Sequence, residues 1–417
     1  MPAAAATAAR PTGVTASLPG RISLASEAFS AAIEFLLPDL RRDCVDGAPP
    51  EELDRLLAGY SRGDDTADAL VAAMRVDKAL RQQFEQALTG GVETLAAAAP
   101  VIRDFFATVD TVPDWIEEEK VALGVRTQRR IDGLTSAGAG FAMGFQLAAI
   151  LPNSSKAMST NARAVENAGR RLAETGRIAL DLNDPNGRGR FGAGTISSTR
   201  LRILHASVRR YLNNRPDWDH GFYGTPISAS DNLGASLVGC AIVQAARRAG
   251  YRFSDEELEG TAHLVGLFAY RQGVPVDLIP RTHEEQLRAF YIFLRTARGT
   301  ADRDAIATLM PPLTRIEVEG LPPVARTAIR HLYNAYGRRI FGPELCDATG
   351  IPDSPLRHAL PLVGLAIRPY EAVRVRSKRV DRLTHRAADL MWQRVMPLLY
   401  SDEATYDADH VAKVVKA

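Results

Sequence analysis

The chain has 417 residues, 46% of them hydrophobic and 24% charged, which is ordinary globular material with enough length to bury a large core. Lys and Arg total 51 against 49 Asp and Glu, so the formal charge of +2 gives no electrostatic reason to expect nucleic acid or an acidic membrane as the main partner. Three cysteines, Cys44, Cys240 and Cys346, form no CxxC and no CxxCH, which excludes a zinc framework of that kind and a covalent c-type haem attachment.

Residues 1–20 are rich in Ala, Thr and Pro and carry neither a twin arginine nor a charged segment followed by an apolar one. They read as a disordered arm on a cytoplasmic protein. Beyond them apolar residues recur at three- and four-residue spacing, and no β-branched alternation bounded by turns is found, so the expected class is all-α. The spacing predicts helices over 22–37, 51–60, 67–88, 93–107, 113–125, 133–150, 158–179, 198–212, 227–249, 254–272, 283–297, 301–309, 322–335 and 378–399. Ser254 followed by acids marks one start, and Gly250, Gly273 and Gly299 mark stops. One domain over 21–400, with its core at about 125–300 and a tail over 401–417, accommodates them.

Residues 133–151 run without a charge, but four glycines, Thr135, Ser136 and Gln146 dilute their hydrophobicity. They predict a buried helix packed closely on something flat, and no integral membrane segment. The polar, glycine-rich stretches 181–194 and 213–226 bracket the next helix of interest.

That helix reads SSTRLRILHASVRRYL over 197–212 and carries an apolar stripe of Leu201, Leu204, Val208 and Leu212, with His205 beside it. Arg202 and Arg209 share the face of His205. A neutral imidazole suits iron, nearby positive charge disfavours its protonation, and guanidinium groups can pair with propionates. The same residues also suit a core histidine between solvated arginines, and His220, His263, His283, His331, His358, His385 and His410 compete for any ligand role. In the preceding helix Arg171 and Thr175 stand at i and i+4, with Glu174 adjacent; the pair can hold a carboxylate or polarise bound oxygen, or belong to a surface laced with salt bridges.

The order Arg171-Leu172-x-x-Thr175, a Gly-rich loop, Arg202-Ile203-Leu204-His205-Ala206-x-Val208-Arg209 and Gly224-x-Pro226-Ile227 resembles the oxygenase family of the mycophenolic acid pathway enzyme and the latex clearing proteins, or rubber oxygenases. The likeness extends across roughly Gln128 to Thr300. It implies an all-α protein with a globin-like core and one non-covalent haem b, with His205 as proximal iron ligand and Arg171 and Thr175 near the haem. Known members cleave a carbon–carbon double bond of isoprenoid chains with dioxygen to give carbonyl products. By the same analogy the small-residue helix over 133–151 lies against the porphyrin or lines an apolar channel.

The chain departs from the rubber-cleaving pattern in three ways. Glu174 stands where those members carry a lysine; no Glu or Asp occurs between Asp132 and Glu166, where they carry a glutamate; and their secretion signal is missing. A small lipophilic or isoprenoid alkene inside the cell is the expected substrate rather than a bulk polymer. In this reading His205 ligates iron, Arg202 and Arg209 anchor the propionates or orient the His205 helix, and Thr175 with Arg171 shapes the oxygen side. Glu174 and Glu166 are the nearest groups for proton transfer. The alternatives are a haem sensor or carrier without turnover, a peroxidase-like haem enzyme, and a cofactor-free helical interaction protein. The basic run over 373–382 reads by default as a solvated face, with a partner surface or a second propionate clamp as the alternatives.

Overall fold

Every regular element among the described residues is a helix, and the one extended pairing among them is an isolated antiparallel bridge between Ile22 and Ala297. The computed structural model describes residues 18–38, 40, 50–160, 168–299, 303–315 and 322–399. The tail expected over 401–417 and most of the arm expected over 1–20 lie outside these. Leu18, Pro19 and Gly20 are packed: Leu18 joins Ile22, Leu57 and Tyr60, and the Gly20 N–H bonds to the Gly221 carbonyl at 2.8 Å.

The strap that follows is stitched to distant parts of the chain. Ser23 N–H donates to Thr296 O (2.8 Å), Arg298 N–H to Arg21 O (3.0 Å) and Ser26 Oγ to Ala297 O (2.6 Å). Arg21 is buried in a bidentate pair with Asp231, at 2.9 and 2.8 Å.

The helices before the site are α1 (Ser30–Leu36), α2 (Pro50–Ala58), α3 (Asp65–Val76), α4 (Ala79–Gly90), α5 (Pro100–Asp110) and α6 (Glu118–Arg129). The single helix expected over 67–88 is two, because Asp77 takes an extended conformation and its side chain accepts the Ala79 N–H that opens α4. Helices α3, α4 and α5 enclose their own apolar centre of Phe84, Phe105 and Phe106. The uncharged helix, Gly133–Ile150, is α7, and α8 (Pro152–Ser159) follows it.

Helix α7 has a mean hydropathy of 1.2, enough by length and composition to cross a bilayer, yet 56% of it is buried inside the fold. Its residues Ala142–Gln146 form a π-turn. The ring of Phe141 stacks on Tyr333 at 4.3 Å, and Tyr336 Oη donates to Thr135 Oγ1 at 3.0 Å. A side chain at Gly138 would strike the Tyr336 ring, so that glycine serves close packing with the helix bearing the two tyrosines.

The remaining helices are α9 (Ala168–Leu182), α10 (Ala193–Asn213), α11 (His220–Tyr223), α12 (Ala229–Ser236), α13 (Val238–Ala249), α14 (Asp255–Arg271), α15 (His283–Thr296), α16 (Arg303–Thr314), α17 (Pro323–Thr349), α18 (Leu356–Arg374) and α19 (Lys378–Leu399). Capping boxes at Ser228, Ser254 and Thr282 start α12, α14 and α15. Helix α17 runs past the predicted stop, kinked at Gly342 (φ 78°) ahead of Pro343. Helix α18 was not anticipated: Pro361 and Pro369 interrupt its pattern, and its outward face is apolar.

Candidate functional site

Helices α9 and α10 form a hairpin across the glycine-rich loop. A Cβ at Gly194 would lie 2.8 Å from Leu182 N, and the N–H groups of Gly194 and Thr195 both bond to Gly187 O. The loop is fastened from outside: Arg188 reaches Glu118 of α6 at 2.6 Å, and Arg190 bonds the carbonyls of Ala87 and Leu88 and pairs with Asp110. Arg171 lies eleven residues before Leu182 and His205 eleven residues after Gly194. Equal rise on both arms therefore sets the Arg171–Thr175 turn and His205 at the same level.

Helix α10 presents two working faces. One packs on α9 and α14: Leu204 meets Ile178 and Leu182, with Leu201, Val208 and Phe268 partly buried around them. The other enters the α3–α5 module through Ile203 and Ala206 and carries the two arginines. Arg202 Nε and Nη2 bond both oxygens of Asp64 at 2.7 and 3.0 Å, Nη1 bonds Thr108 Oγ1 at 3.0 Å, and the guanidinium lies 4.8 Å from the Phe105 ring centre. Arg209 Nε bonds Asp68 at 3.2 Å, and its Nη1 bonds the Ile227 carbonyl at 3.3 Å.

Burial by itself would raise the pKa of Asp64, but Arg202 and the Ala67 N–H hold it below the usual carboxylate range. Asp68 goes the other way, pushed up to about 6 by burial, with Asp64 and Asp65 adding to the shift and Arg209 opposing it.

All three guanidinium nitrogens of Arg202 are engaged with α3 and α5. The propionate pairing expected of Arg202 and Arg209 is thus not the arrangement seen; what their geometry serves is the orientation of α10. Backbone closes over both pairs: Gly273 (φ 79°) passes beside Asp64 and Arg202, and Gly63 passes beside Asp68 and Arg209, leaving no room for a Cβ at either. The Gly224-x-Pro226-Ile227 motif is a strained turn, with Gly224 at φ 70° and Ile227 at φ 48°, held by the Arg209 bond.

His205 sits between the two faces, half-buried, with Leu201 and Val208 on the neighbouring turns of its helix. On α9, Glu174 is buried and stands one turn from Ile178 on the side facing α10, while Thr175 is exposed. Arg171 lies in α9, but its side chain, like Glu166 as a whole, is outside the described residues.

Five of the other described histidines have surroundings of their own. His263 Nδ1 accepts the Glu117 N–H at 3.1 Å, and burial lowers its pKa. Burial, with Arg247, pushes His283 down to about 4. His385 lies beside Asp381, His358 accepts from Arg357 Nε, and His220 is exposed.

Packing contacts close a circuit of helices in the order α9, α10, α14, α13, α7, α16 and back to α9. Several members carry partly buried apolar or small residues: Leu201 and Val208 on α10, Phe268 on α14, Ile242 on α13. At Gly144 in the π-turn of α7 a Cβ would meet nothing within 4 Å. Among the described residues no three His, Cys, Asp or Glu side chains converge to cage a bare ion. One imidazole with an incompletely covered apolar collar instead fits a planar, apolar group that brings its own in-plane ligands. A separate cavity of about 320 Å³, lined in part by Arg55, Leu56, Ile279 and Ala289, shares no residue with this cluster.

The sequence reading missed Asp64, Asp68 and Thr108. Asp64 was legible as a helix cap, yet nothing local shows that its partner lies 138 residues away.

The chain as a whole is similar to known proteins. Residues 129–370 match the family model described as "ER-bound oxygenase mpaB/B'/Rubber oxygenase, catalytic domain". The rubber oxygenase of Streptomyces sp. (strain K30) is 23% identical over 313 residues, which is 71% of this chain and 72% of that protein. Among solved structures, latex clearing protein in its closed state aligns with a TM-score of 0.58 at 19% identity, over 81% of this chain and 91% of the other, a likeness of fold.

Proposed function

The chain belongs to the mpaB and rubber oxygenase family, and from that premise we propose that it is a haem b-dependent oxygenase that uses dioxygen to cleave a carbon–carbon double bond in a small isoprenoid-like substrate. The observation that carries this reading is the half-buried imidazole of His205 at an apolar collar, on a helix held in one orientation by buried ion pairs. Haem b, when bound, supplies an iron able to activate dioxygen for addition to an alkene.

The chain's own residues have separable tasks. His205 would hold the haem iron, and the Arg202–Asp64 and Arg209–Asp68 pairs orient the helix that carries it. Leu201, Val208 and Phe268 exclude water and favour an apolar substrate. Glu174, buried on α9, holds or passes a proton; the family likeness assigns Thr175, which is exposed, and Arg171 to the oxygen side.

The test is the ultraviolet–visible spectrum of protein expressed with haem supplied, for wild type, His205→Ala and the exposed-histidine control His220→Ala. A Soret band that His205→Ala loses and His220→Ala keeps supports the assignment; a colourless wild type overturns it. With haem present, oxygen uptake and carbonyl products from an alkene panel are expected. Reversible oxygen binding without product identifies a sensor or carrier instead, and turnover that needs peroxide and consumes no oxygen identifies a peroxidase.

A further inference from the structure

The C-terminal hairpin of α18 and α19 carries a charge that the whole-chain balance conceals. Residues 356–399 contain nine Lys and Arg and three acids, a formal +6 in a chain of +2. Each of the three acids is turned to an arginine. Glu371 is fully buried between Arg130 and Arg374, Asp381 pairs with Arg374, and Asp389 pairs with Arg129. The cations face outward: Arg376, Lys378, Arg379, Arg382, Arg386 and Arg394 are all exposed.

The outward side of α18, the other arm of the hairpin, is apolar where a solvated face would be polar. On α18, Leu362 is 61% exposed, Leu365 68% and Val373 54%. Helical spacing sets Leu362, Ala366, Pro369 and Val373 on one stripe, opposite the Gly364 and Glu371 side that packs on the body of the protein. On α19, Leu383 (54%) and Leu390 (48%) lie among the outward arginines. Single exposed leucines are ordinary, but a stripe running about three turns and accompanied by cations on the same hairpin marks an interaction surface.

We propose that this hairpin face docks on an anionic phospholipid membrane, with the α18 stripe and the α19 leucines entering the headgroup–acyl boundary and the arginines meeting lipid phosphates. Charge complementarity selects this occupant. A second copy of the chain related by a two-fold axis would set the outward cations against one another. A nucleic acid would satisfy the cations and leave the leucines in water. A lipid surface uses both, because apolar burial and attraction to anionic headgroups add in an amphipathic helix lying in the interface. The surface is on a different part of the fold from the His205 cluster, so this inference stands or falls independently of the haem assignment.

The experiment is co-sedimentation of the full-length protein with phosphatidylcholine vesicles made with and without phosphatidylserine, across a salt series. Two variants accompany wild type: Arg379→Glu/Arg382→Glu/Arg386→Glu and Leu362→Ser/Leu365→Ser/Val373→Ser. All six positions are exposed, and an unchanged helical signal and melting temperature confirm folding. Binding that requires phosphatidylserine and weakens with salt is expected, with the charge-reversed variant weaker by on the order of a hundredfold. The apolar variant is expected to lose binding as well. No binding to the anionic vesicles, or binding that both variants retain, overturns the proposal. So does a dimer in size-exclusion chromatography that the apolar variant abolishes while vesicles capture nothing, which assigns the face to a second copy.

Discussion

Asp68 shows how one carboxylate sets a pH dependence around the candidate site. Its folded-state pKa of about 6 lies above the unfolded value, so the folded chain holds this proton more tightly. The resulting stabilisation is fully present below the unfolded value of about 4 and is lost as pH rises through about 6. Asp64 has the opposite sign: its lowered pKa contributes stability above the unfolded value that is lost as pH falls through the folded one. In melting curves taken from pH 4 to 7, Asp68→Asn is therefore expected to flatten the decline that wild type shows; an unchanged slope assigns that decline to other groups. Neither role was legible in the sequence, where Arg202 and Arg209 read as flanks of His205. The turn periodicity shows that they share its side of the helix, but not that acids of α3 already occupy them.

The α9–α10 hairpin was legible as two helices around a glycine-rich loop because its signals are local: apolar spacing, glycines at the turn and a helix long enough to show its period. Boundaries failed at Asp77, where a single residue turned the backbone, and at the end of α17, which runs past the expected stop at 335 and is kinked at Gly342. Helix α18 was lost because the reading assumes an apolar face marks the interior, and here it faces out. The hold of α3 on α10 is testable as a unit. Arg202→Met strands a carboxylate whose side chain is 6% exposed, and calorimetry should show a loss of about 3–5 kcal/mol. Arg202→Met combined with Asp64→Leu removes both charges and is expected to recover a large part of that loss. If the double variant is as unstable as the single one, the ion pair is not what α3 contributes.

Across the whole molecule, the family match begins at residue 129, while the acids that set the His205 helix lie at positions 64 and 68. The matched core is thus oriented by a module outside it. The C-terminal end is secured by a buried cluster in which Glu371 bonds Arg130, Arg374 and the Arg252 N–H. Glu371→Ala leaves two buried guanidinium groups without that carboxylate and should cost about 3–5 kcal/mol in denaturant unfolding. A loss under about 1 kcal/mol would mean that water replaces the carboxylate. At the other end, the strap around Arg21 closes on the carbonyls of Gly221, Phe222 and Tyr223, on Asp231 and on the backbone of residues 296–298. A ribosome adding roughly 5–20 residues per second reaches those partners some 10–55 seconds after the strap has been made. The first described residues of the chain are therefore among the last to find their places: during synthesis Arg21 waits for Asp231, which arrives with Ser228 beside it and Asn153 already made.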